Sequence, residues 1–232
     1  PPILTGKMDV LVSAGMASGK TEAAFLPVCS VIANERSPGV HALYVGPLKA
    51  LINDQAARLE RMCKGANIGV QPWHGDVSST EKRKLRQEPS GILLITPESL
   101  EAMLMRGVQD TRVLFANLRY VVIDELHAFI GSERGKQLQS LLHRLEFAVG
   151  GLTPRRIPRI GLSATLADTV VGCEFLRPGD ASNVQIIRGA GSGTARLWLH
   201  GVVDTDGAAP PGGQSQRNQD TAATRHVIEE IA

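Results

Sequence analysis

The 232-residue sequence has few aromatic residues, few cysteines and no long apolar run. Phe, Trp and Tyr make up only 4% of the residues, so the core has to be built mainly from aliphatic side chains. Cys29, Cys63 and Cys173 lie far apart without a CxxC pair, which excludes a zinc finger and argues against a disulfide framework. No apolar run reaches the roughly 18 residues that a membrane helix needs, and no signal-peptide pattern opens the chain. We therefore expect a cytoplasmic protein with no membrane partner.

Charge is also nearly balanced along the chain. Lys and Arg number 25 against 23 Asp and Glu, which gives a formal net charge of +2. Apolar residues at 43% and charged residues at 21% are close to the globular average, which excludes a disordered, collagen-like or coiled-coil chain. A net charge this small does not by itself indicate nucleic-acid binding, so any basic surface has to be local.

Short apolar runs alternate with helical patterns along most of the chain. Continuous apolarity is typical of strands that are covered on both faces of a parallel sheet. Such runs are Val10–Ala14, His41–Val45, Gly91–Ile95, Tyr120–Ile123 and Ile160–Ser163. Between them, apolar residues at helical spacing run from Leu51 to Met62 and from Leu138 to Leu145. This alternation predicts an α/β fold, with right-handed βαβ units around a mostly parallel central sheet.

The pattern changes towards the C-terminal end. Val184–Arg188 and Arg196–Val203 predict two further strands, joined by a glycine-rich turn. Residues 204–219 are polar and rich in Pro and Gly and predict a flexible linker. Residues 220–232 have the pattern of a helix with Asp220 at its N-cap. We interpret the chain as a piece of a longer protein, in which residues 220–232 begin another domain.

A phosphate-binding pattern follows the first predicted strand. Ala14–Thr21 fits G-x4-G-K-[ST], with alanine in the place of the leading glycine. Small residues let backbone N–H groups surround phosphate oxygens, and the following helix N-terminus adds partial positive charge. Lys20 is expected to reach the β- and γ-phosphates, and the Thr21 hydroxyl to bind Mg²⁺. The sequence thus predicts ATP and Mg²⁺ as ligands. The predicted nucleotide-binding residues are Ala14, Gly15, Met16, Ala17, Ser18, Gly19, Lys20, Thr21 and Glu22.

An acidic pair, Asp124 and Glu125, directly follows the strand Tyr120–Ile123 in the segment Asp-Glu-Leu-His. Because parallel strands end at one edge of a sheet, this pair is expected beside the phosphate-binding loop. Asp124 is expected to hold Mg²⁺ through water, and Glu125 to orient and deprotonate the attacking water. Together with Lys20 they are the candidate catalytic residues. An ordinary acidic helix cap is the alternative interpretation of the pair.

These motifs and their order resemble the first RecA-like domain of superfamily 2 helicases. The matching segments are Ala14–Thr21 (Walker A), Pro47–Leu51 (motif Ia), Thr96–Leu100 (motif Ib), Asp124–His127 (motif II) and Ser163–Thr165 (motif III). Pro47–Gln55, Trp73–Asp76 and Gly131–Gly135 are most similar to the Lhr-like branch of DEAD/DEAH-box helicases. The resemblance implies a three-layer RecA-like P-loop NTPase domain over residues 1–203, with a second RecA-like domain as its partner.

The resemblance also implies an activity, namely ATP hydrolysis coupled to movement on, or unwinding of, nucleic acid. The partner implied is a single strand or partial duplex, with DNA favoured over RNA. Backbone contacts to this strand are implied for Pro47, Lys49, Thr96 and Pro97. Coupling of the nucleotide state to domain movement is implied for His127, Ser163 and Thr165.

Several other residues are expected to have structural roles. These are the solvated helix face Lys82–Arg86, Trp73 packed beside the sheet edge, the loop arginines Arg155, Arg156 and Arg159, Glu98 as a loop cap, and Thr165 as N-cap of a helix Ala167–Cys173. Arg134 and Gly135 are candidates for lining the nucleic-acid channel.

Two alternatives remain open: a non-catalytic module that binds nucleic acid or a partner, and the motor subunit of a nuclease or restriction system. The combination of Lys20, Thr21, Asp124 and Glu125 favours a catalytic site. In the resembled family, an adenine-reading Q motif precedes Walker A, and arginine fingers come from the second RecA-like domain. Neither is found in this sequence, so we expect negligible ATP hydrolysis by the isolated chain.

Overall fold

The computed structural model describes residues 2–15, 18–35, 37–164, 166 and 168–189. Within these residues the chain forms seven β-strands and eight α-helices. The strands are β1 (Asp9–Ser13), β2 (Gly39–Val45), β3 (Val70–Trp73), β4 (Ser90–Ile95), β5 (Tyr120–Ile123), β6 (Arg159–Ser163) and β7 (Val184–Arg188). The helices are α1 (Pro2–Thr5), α2 (Lys20–Ile32), α3 (Lys49–Cys63), α4 (Ser79–Gln87), α5 (Pro97–Arg106), α6 (Val108–Leu114), α7 (Glu133–Gly150) and α8 (Thr169–Leu176).

The strands form one sheet in the order β3-β4-β2-β5-β6-β1-β7, and each described pairing is parallel. The predicted α/β fold with a parallel sheet is therefore confirmed. Because all strands run the same way, they end at one edge, which we call the C-terminal edge. The loops that leave this edge are the ones that carry the sequence motifs.

Helices cover both faces of the sheet, which gives the three layers. Neighbouring residues of a strand point to opposite faces, so each face has its own core. On one face, Leu43 and Val45 of β2 belong to a core that includes residues of α5, α7 and α8. On the other, Ala42 and Tyr44 belong to a core with residues of α1, α2 and α3. Among the described residues, no helix is both long and apolar enough to cross a membrane.

Two details differ from the sequence prediction. The edge strand β3 was not predicted, because Gln71 and Pro72 break its apolar pattern; proline is tolerated at a sheet edge. The helix expected at Ala167–Cys173 begins instead at Thr169. Its N-cap is Asp168, whose Oδ1 accepts a hydrogen bond from the Val170 N–H at 2.7 Å, so Thr165 as N-cap was wrong. Thr165 and the segments predicted beyond residue 189 lie outside the described residues.

The expectation that Arg159 is a loop charge was also wrong. Arg159 is the first residue of β6 and is buried, because its backbone N–H and its guanidinium bind two buried acids. Its N–H donates to Asp9 Oδ1 at 2.7 Å, and its Nη2 lies 3.2 Å from Glu146 Oε2. Burial lowers the pKa of the Arg159 guanidinium.

A buried ionic cluster surrounds Asp9 at the opposite end of the sheet from the motifs. Arg177 of the segment after α8 binds both Asp9 oxygens, each at 2.8 Å, and donates to Glu146 Oε1 at 2.8 Å. Arg156 adds a further bond to Asp9 Oδ2 at 2.7 Å. The cluster joins the start of β1 to α7 and to the chain after α8. Arg155 instead donates to two backbone carbonyls, those of residues 116 and 118.

Candidate nucleotide and nucleic-acid sites

The loops after β1, β5 and β6 lie together, because these three strands are neighbours in the sheet. The Walker A segment follows β1, the Asp124–His127 segment follows β5, and Ser163 is the last residue of β6. The Ala14 N–H donates to the Ser163 carbonyl at 3.2 Å, so the Walker A loop is hydrogen-bonded to the end of β6. The fold thus places the described part of the Walker A loop at the same edge of the sheet as Asp124, Glu125 and Ser163.

The Walker A loop turns into α2 at Gly19, whose φ of 78° is in the left-handed region that favours glycine. Lys20 Nζ donates to the carbonyls of Ala14 at 2.8 Å and Gly15 at 2.6 Å. Its ammonium group therefore lies over the loop. The first N–H groups of a helix have no acceptor within the helix, so the start of α2 offers donors to an anion. Met16 and Ala17 lie outside the described residues.

Asp124 is held in one orientation at the end of β5. It is 7% exposed; its Oδ2 accepts a hydrogen bond from the Tyr44 hydroxyl at 2.7 Å, and its Oδ1 from the Glu125 N–H at 2.8 Å. Burial, reinforced by the neighbouring carboxylate, raises the pKa of Tyr44, so the hydroxyl remains a donor. Sequence reasoning missed Tyr44, which lies inside the apolar run of β2.

Glu125 contacts His127, which in turn contacts Ser163 at the end of β6. Its backbone is left-handed, with φ and ψ both 48°, a conformation that costs a non-glycine residue about 1–3 kcal/mol. In this conformation, Glu125 Oε2 lies 3.2 Å from His127 Nδ1, and the same nitrogen lies 3.4 Å from Ser163 Oγ. Two of the three predicted coupling residues, His127 and Ser163, are thus in contact with each other. Thr165, the third, lies outside the described residues.

Glu22, predicted to contact the nucleotide, forms an ion pair with Arg58 of α3. Arg58 Nε donates to Glu22 Oε1 at 3.0 Å, and Arg58 Nη2 binds the same oxygen. The hydrogen bonds from Arg58 hold the pKa of Glu22 below its usual value. The pair links the helix that follows the Walker A loop to α3, which begins within motif Ia.

The loops after β3, β4 and β2 form the other half of the C-terminal edge, since these strands are also neighbours. Lys49, at the start of α3, makes an exposed ion pair with Asp76 of the loop after β3, at 2.8 Å. The Lys49 ammonium holds the pKa of Asp76 below its usual value. The candidate phosphate contact Lys49 therefore has an acidic neighbour that competes for it.

Thr96 and Pro97 build the start of α5 rather than an exposed surface. Thr96 is 5% exposed; its Oγ1 accepts from the Ser99 N–H at 3.4 Å and donates to Ser99 Oγ at 3.2 Å. Pro97 is buried at the first helical position, where its missing N–H costs nothing. The next two residues are more accessible, since Glu98 is exposed and Ser99 is half-buried; the sequence analysis assigned neither of them a nucleic-acid contact.

Arg134, at the start of α7, connects the motif Ia and motif Ib loops. Its Nη1 donates to the Pro47 carbonyl at 2.7 Å, and its Nε and Nη2 donate to the two Glu98 oxygens at 2.6 and 3.0 Å. Burial works to raise the pKa of Glu98, but these hydrogen bonds lower it below its usual value. Glu98 is thus the ion-pair partner of Arg134. Gly135 packs so closely that a Cβ would lie 1.9 Å from the Phe129 carbonyl oxygen.

The DEAD/DEAH box helicase family model matches residues 1–171, which is more than half of the chain. The chain therefore belongs to the DEAD/DEAH box helicase family. Among its relatives are proteins named ATP-dependent helicase Lhr-Core. That of Methanothermobacter thermautotrophicus is 34% identical over 174 residues, 68% of this chain and 19% of the relative. That of Sulfolobus acidocaldarius is 34% identical over 194 residues, 77% of this chain and 21% of the relative.

Solved structures give the same result. The Mycobacterium smegmatis helicase Lhr, bound to ssDNA and AMP-PNP, matches with a TM-score of 0.69 and 31% identity, over 83% of this chain and 25% of that one. The DEAD-box helicase Mss116 matches with a TM-score of 0.67 at 19% identity, over 81% of this chain and 38% of that one, which shows the shared fold alone. The predicted RecA-like fold and the Lhr-like branch are confirmed. The chain spans about a fifth of the length of its Lhr-Core relatives.

Proposed function

We propose that this chain is the ATP-binding motor domain of an ATP-dependent nucleic-acid helicase or translocase. The observation that carries the proposal is that Lys20, the Tyr44-held Asp124 and the Glu125–His127–Ser163 contacts lie at the C-terminal ends of three neighbouring strands, β1, β5 and β6. Further support comes from the Lhr structure, whose ligands are a single DNA strand and an ATP analogue.

The nucleotide site we propose consists of residues 14–22, with Lys20 and the first N–H groups of α2 facing the phosphates. Thr21 and Asp124 would hold Mg²⁺. A hydroxyl and a carboxylate suit this ion, which prefers oxygen ligands and usually keeps several waters beside substrate phosphates. Bound Mg²⁺ would neutralise charge on the phosphates during hydrolysis. Glu125 would accept a proton from the attacking water, with its carboxylate positioned by His127.

The His127–Ser163 contact offers a physical route for coupling. Any movement of the Glu125 carboxylate shifts its contact with His127, and through it the contact with Ser163 at the end of β6. We propose that this route passes the nucleotide state on to Thr165 and to a second RecA-like domain, which the resemblance implies as the partner.

The nucleic-acid site we propose crosses the loops after β2, β4 and β3. Lys49 and the N–H groups at the starts of α3 and α5 face the sugar–phosphate backbone, where helix N-termini favour phosphates. Thr96 and Pro97 act indirectly, because they fix the start of α5. Arg134 keeps the two loops at a constant separation by bridging Pro47 and Glu98. Single-stranded DNA is the favoured ligand, as in the Lhr structure.

The Tyr44 hydroxyl gives a specific test of the metal site. Tyr44→Phe removes one hydrogen bond to Asp124, so we expect the affinity for the Mg²⁺ complex of a non-hydrolysable ATP analogue to fall by about fivefold, from about 1 kcal/mol. Calorimetric titration with and without Mg²⁺ measures the loss. Tyr120→Phe is the matched control, since its buried hydroxyl donates to the Ile3 carbonyl away from the site. Equal affinities for the two variants would contradict the role of Tyr44.

The Lys49–Asp76 pair gives a test of the nucleic-acid site. Asp76→Asn removes the acid that competes for Lys49, so binding of a fluorescent DNA single strand should become tighter at low salt. Lys49→Ala should weaken binding and reduce the slope of log K against log[salt] by about 0.7. Glu35→Gln is the control, because it removes an acid from an ion pair with Arg119 outside the proposed site. If Asp76→Asn and Glu35→Gln change the affinity equally, the proposed site is wrong.

A further inference from the structure

A groove runs between α4 and the helices α5 and α6, beside the edge strand β3. It consists of two adjoining cavities of about 190 and 300 Å³ that share Met103 and Arg106 as lining residues. The smaller cavity is also lined by Gly75 and Ser99, at the C-terminal edge of the sheet. The larger one extends to Arg86 near the end of α4. We call the two cavities together the α4–α5 groove.

The groove starts at the loops that form the proposed nucleic-acid site. Gly75 precedes the loop residue Asp76, which binds Lys49, and Ser99 is bound to Thr96. From there the groove follows α5 to its last residue, Arg106. Eight helical residues, from Ser99 to Arg106, rise about 12 Å, and a stacked strand has a phosphate every 3.4 Å or so. The groove can therefore take about three phosphates beyond the loops.

Three cations line this path without acidic partners. Lys82 and Arg86 of α4 lie over the same Trp73 ring, at 5.8 and 5.2 Å from its centroid, and Arg106 faces them from α5. In the described part of the chain, none of the three forms an ion pair. Asp110 is the acid that also lines the groove. The three like charges repel one another, and a polyanion would relieve that repulsion.

The groove also has an apolar surface between its cations. Met103 lines both cavities, and Leu114 lines the larger one. Trp73 is 6% exposed and packs at the sheet edge, as its sequence position predicted. The helix face Lys82–Arg86 is mainly solvated, also as predicted, with Leu85 buried beneath it. A positively charged groove that follows the backbone is one of the features with which proteins bind single strands without sequence preference.

We propose that the α4–α5 groove binds the backbone of the nucleic-acid strand as it leaves the loops at Gly75 and Ser99. This inference rests on the proposed function and extends its nucleic-acid site along β3. Lys82, Arg86 and Arg106 contact successive phosphates there. Base identity matters little, because backbone contacts carry no sequence information.

The test compares two charge reversals of equal size in the 232-residue chain. Lys82→Glu with Arg106→Glu changes the groove, whereas Arg83→Glu with Arg112→Glu changes exposed residues of α4 and α6 that do not line it. Each variant is titrated with a short DNA single strand and with one about three phosphates longer. Thermal unfolding checks that both variants are folded.

We expect the groove variant to lose affinity for the longer strand only, with its salt slope reduced by about 1.4, or 0.7 for each of two contacts. An equal loss in both variants would mean general electrostatics and overturn the proposal. So would equal losses for both strand lengths. If polyglutamate binds the wild type but not the groove variant, while DNA binding is unchanged, the occupant is an acidic protein segment and the proposal is wrong.

The same titrations separate this inference from the proposed function. If the wild type binds neither strand, the proposed nucleic-acid site itself fails. If the wild type binds both strands equally, and Lys49→Ala weakens both while the groove variant weakens neither, only the groove proposal is overturned.

Discussion

Replacing Asp9 by alanine is expected to lower the free energy of unfolding by about 3–5 kcal/mol. Asp9 is fully buried and accepts hydrogen bonds from Arg156, the Arg159 N–H and both sides of Arg177. Without Asp9, the buried guanidinium groups of Arg159 and Arg177 share one carboxylate, that of Glu146. Breaking a buried pair leaves an uncompensated charge, which is why the expected cost is large.

Urea denaturation of the wild type and of Asp9→Ala measures this loss in the free energy of unfolding. Asp180→Ala is the control, because Asp180 pairs with the same Arg156 at the surface, where ion pairs contribute about 0–1 kcal/mol. A loss for Asp9→Ala no greater than that for Asp180→Ala would show that the cluster does not stabilise the fold.

Replacing Lys20 by alanine is expected to lower the affinity for an ATP analogue by about 10- to 100-fold. A hydrogen bond to a charged group contributes about 1.5–3 kcal/mol, and each 1.4 kcal/mol corresponds to about tenfold in affinity. The free energy of unfolding should change little, because the Lys20 side chain is partly exposed and its two acceptors are carbonyls of the loop itself.

Calorimetric titration with the Mg²⁺ complex of a non-hydrolysable analogue measures the affinity. Lys7→Ala removes the same charge from an exposed position before β1 and is the matched control. If the two variants bind the analogue equally well, the Walker A assignment is wrong.

The parallel sheet was predictable because strands covered on both faces are continuously apolar, as in β4 and β5. An edge strand does not need to be continuously apolar, and three of the four residues of β3 are only half-buried. Its Gln71 and Pro72 therefore gave no strand pattern. The helix start at Thr169 was missed for a local reason, since Asp168 and Thr165 are both acceptable N-cap residues in sequence.

The candidate site was predictable where its residues lie in one segment, as in Walker A and Asp124–His127. Contacts between distant segments were not. Tyr44 lies 80 positions before its acceptor Asp124, and an aromatic residue inside a buried strand predicts packing rather than metal-site support. The prediction for Arg159 was wrong for the same reason: Asp9, which accepts the hydrogen bond from its N–H, lies 150 positions away.

The central claim is that one edge of the sheet carries two separate sites, one for nucleotide and one for nucleic acid. Amide hydrogen exchange of the 232-residue chain tests it most directly, with Mg²⁺ and a non-hydrolysable ATP analogue, with a DNA single strand, and without ligand. The account predicts that the nucleotide slows exchange in residues 14–22 and 124–127, and that DNA slows exchange in residues 46–49, 75–76 and 96–99. Nucleotide binding without protection of residues 14–22, or protection of the same loops by both ligands, would contradict it.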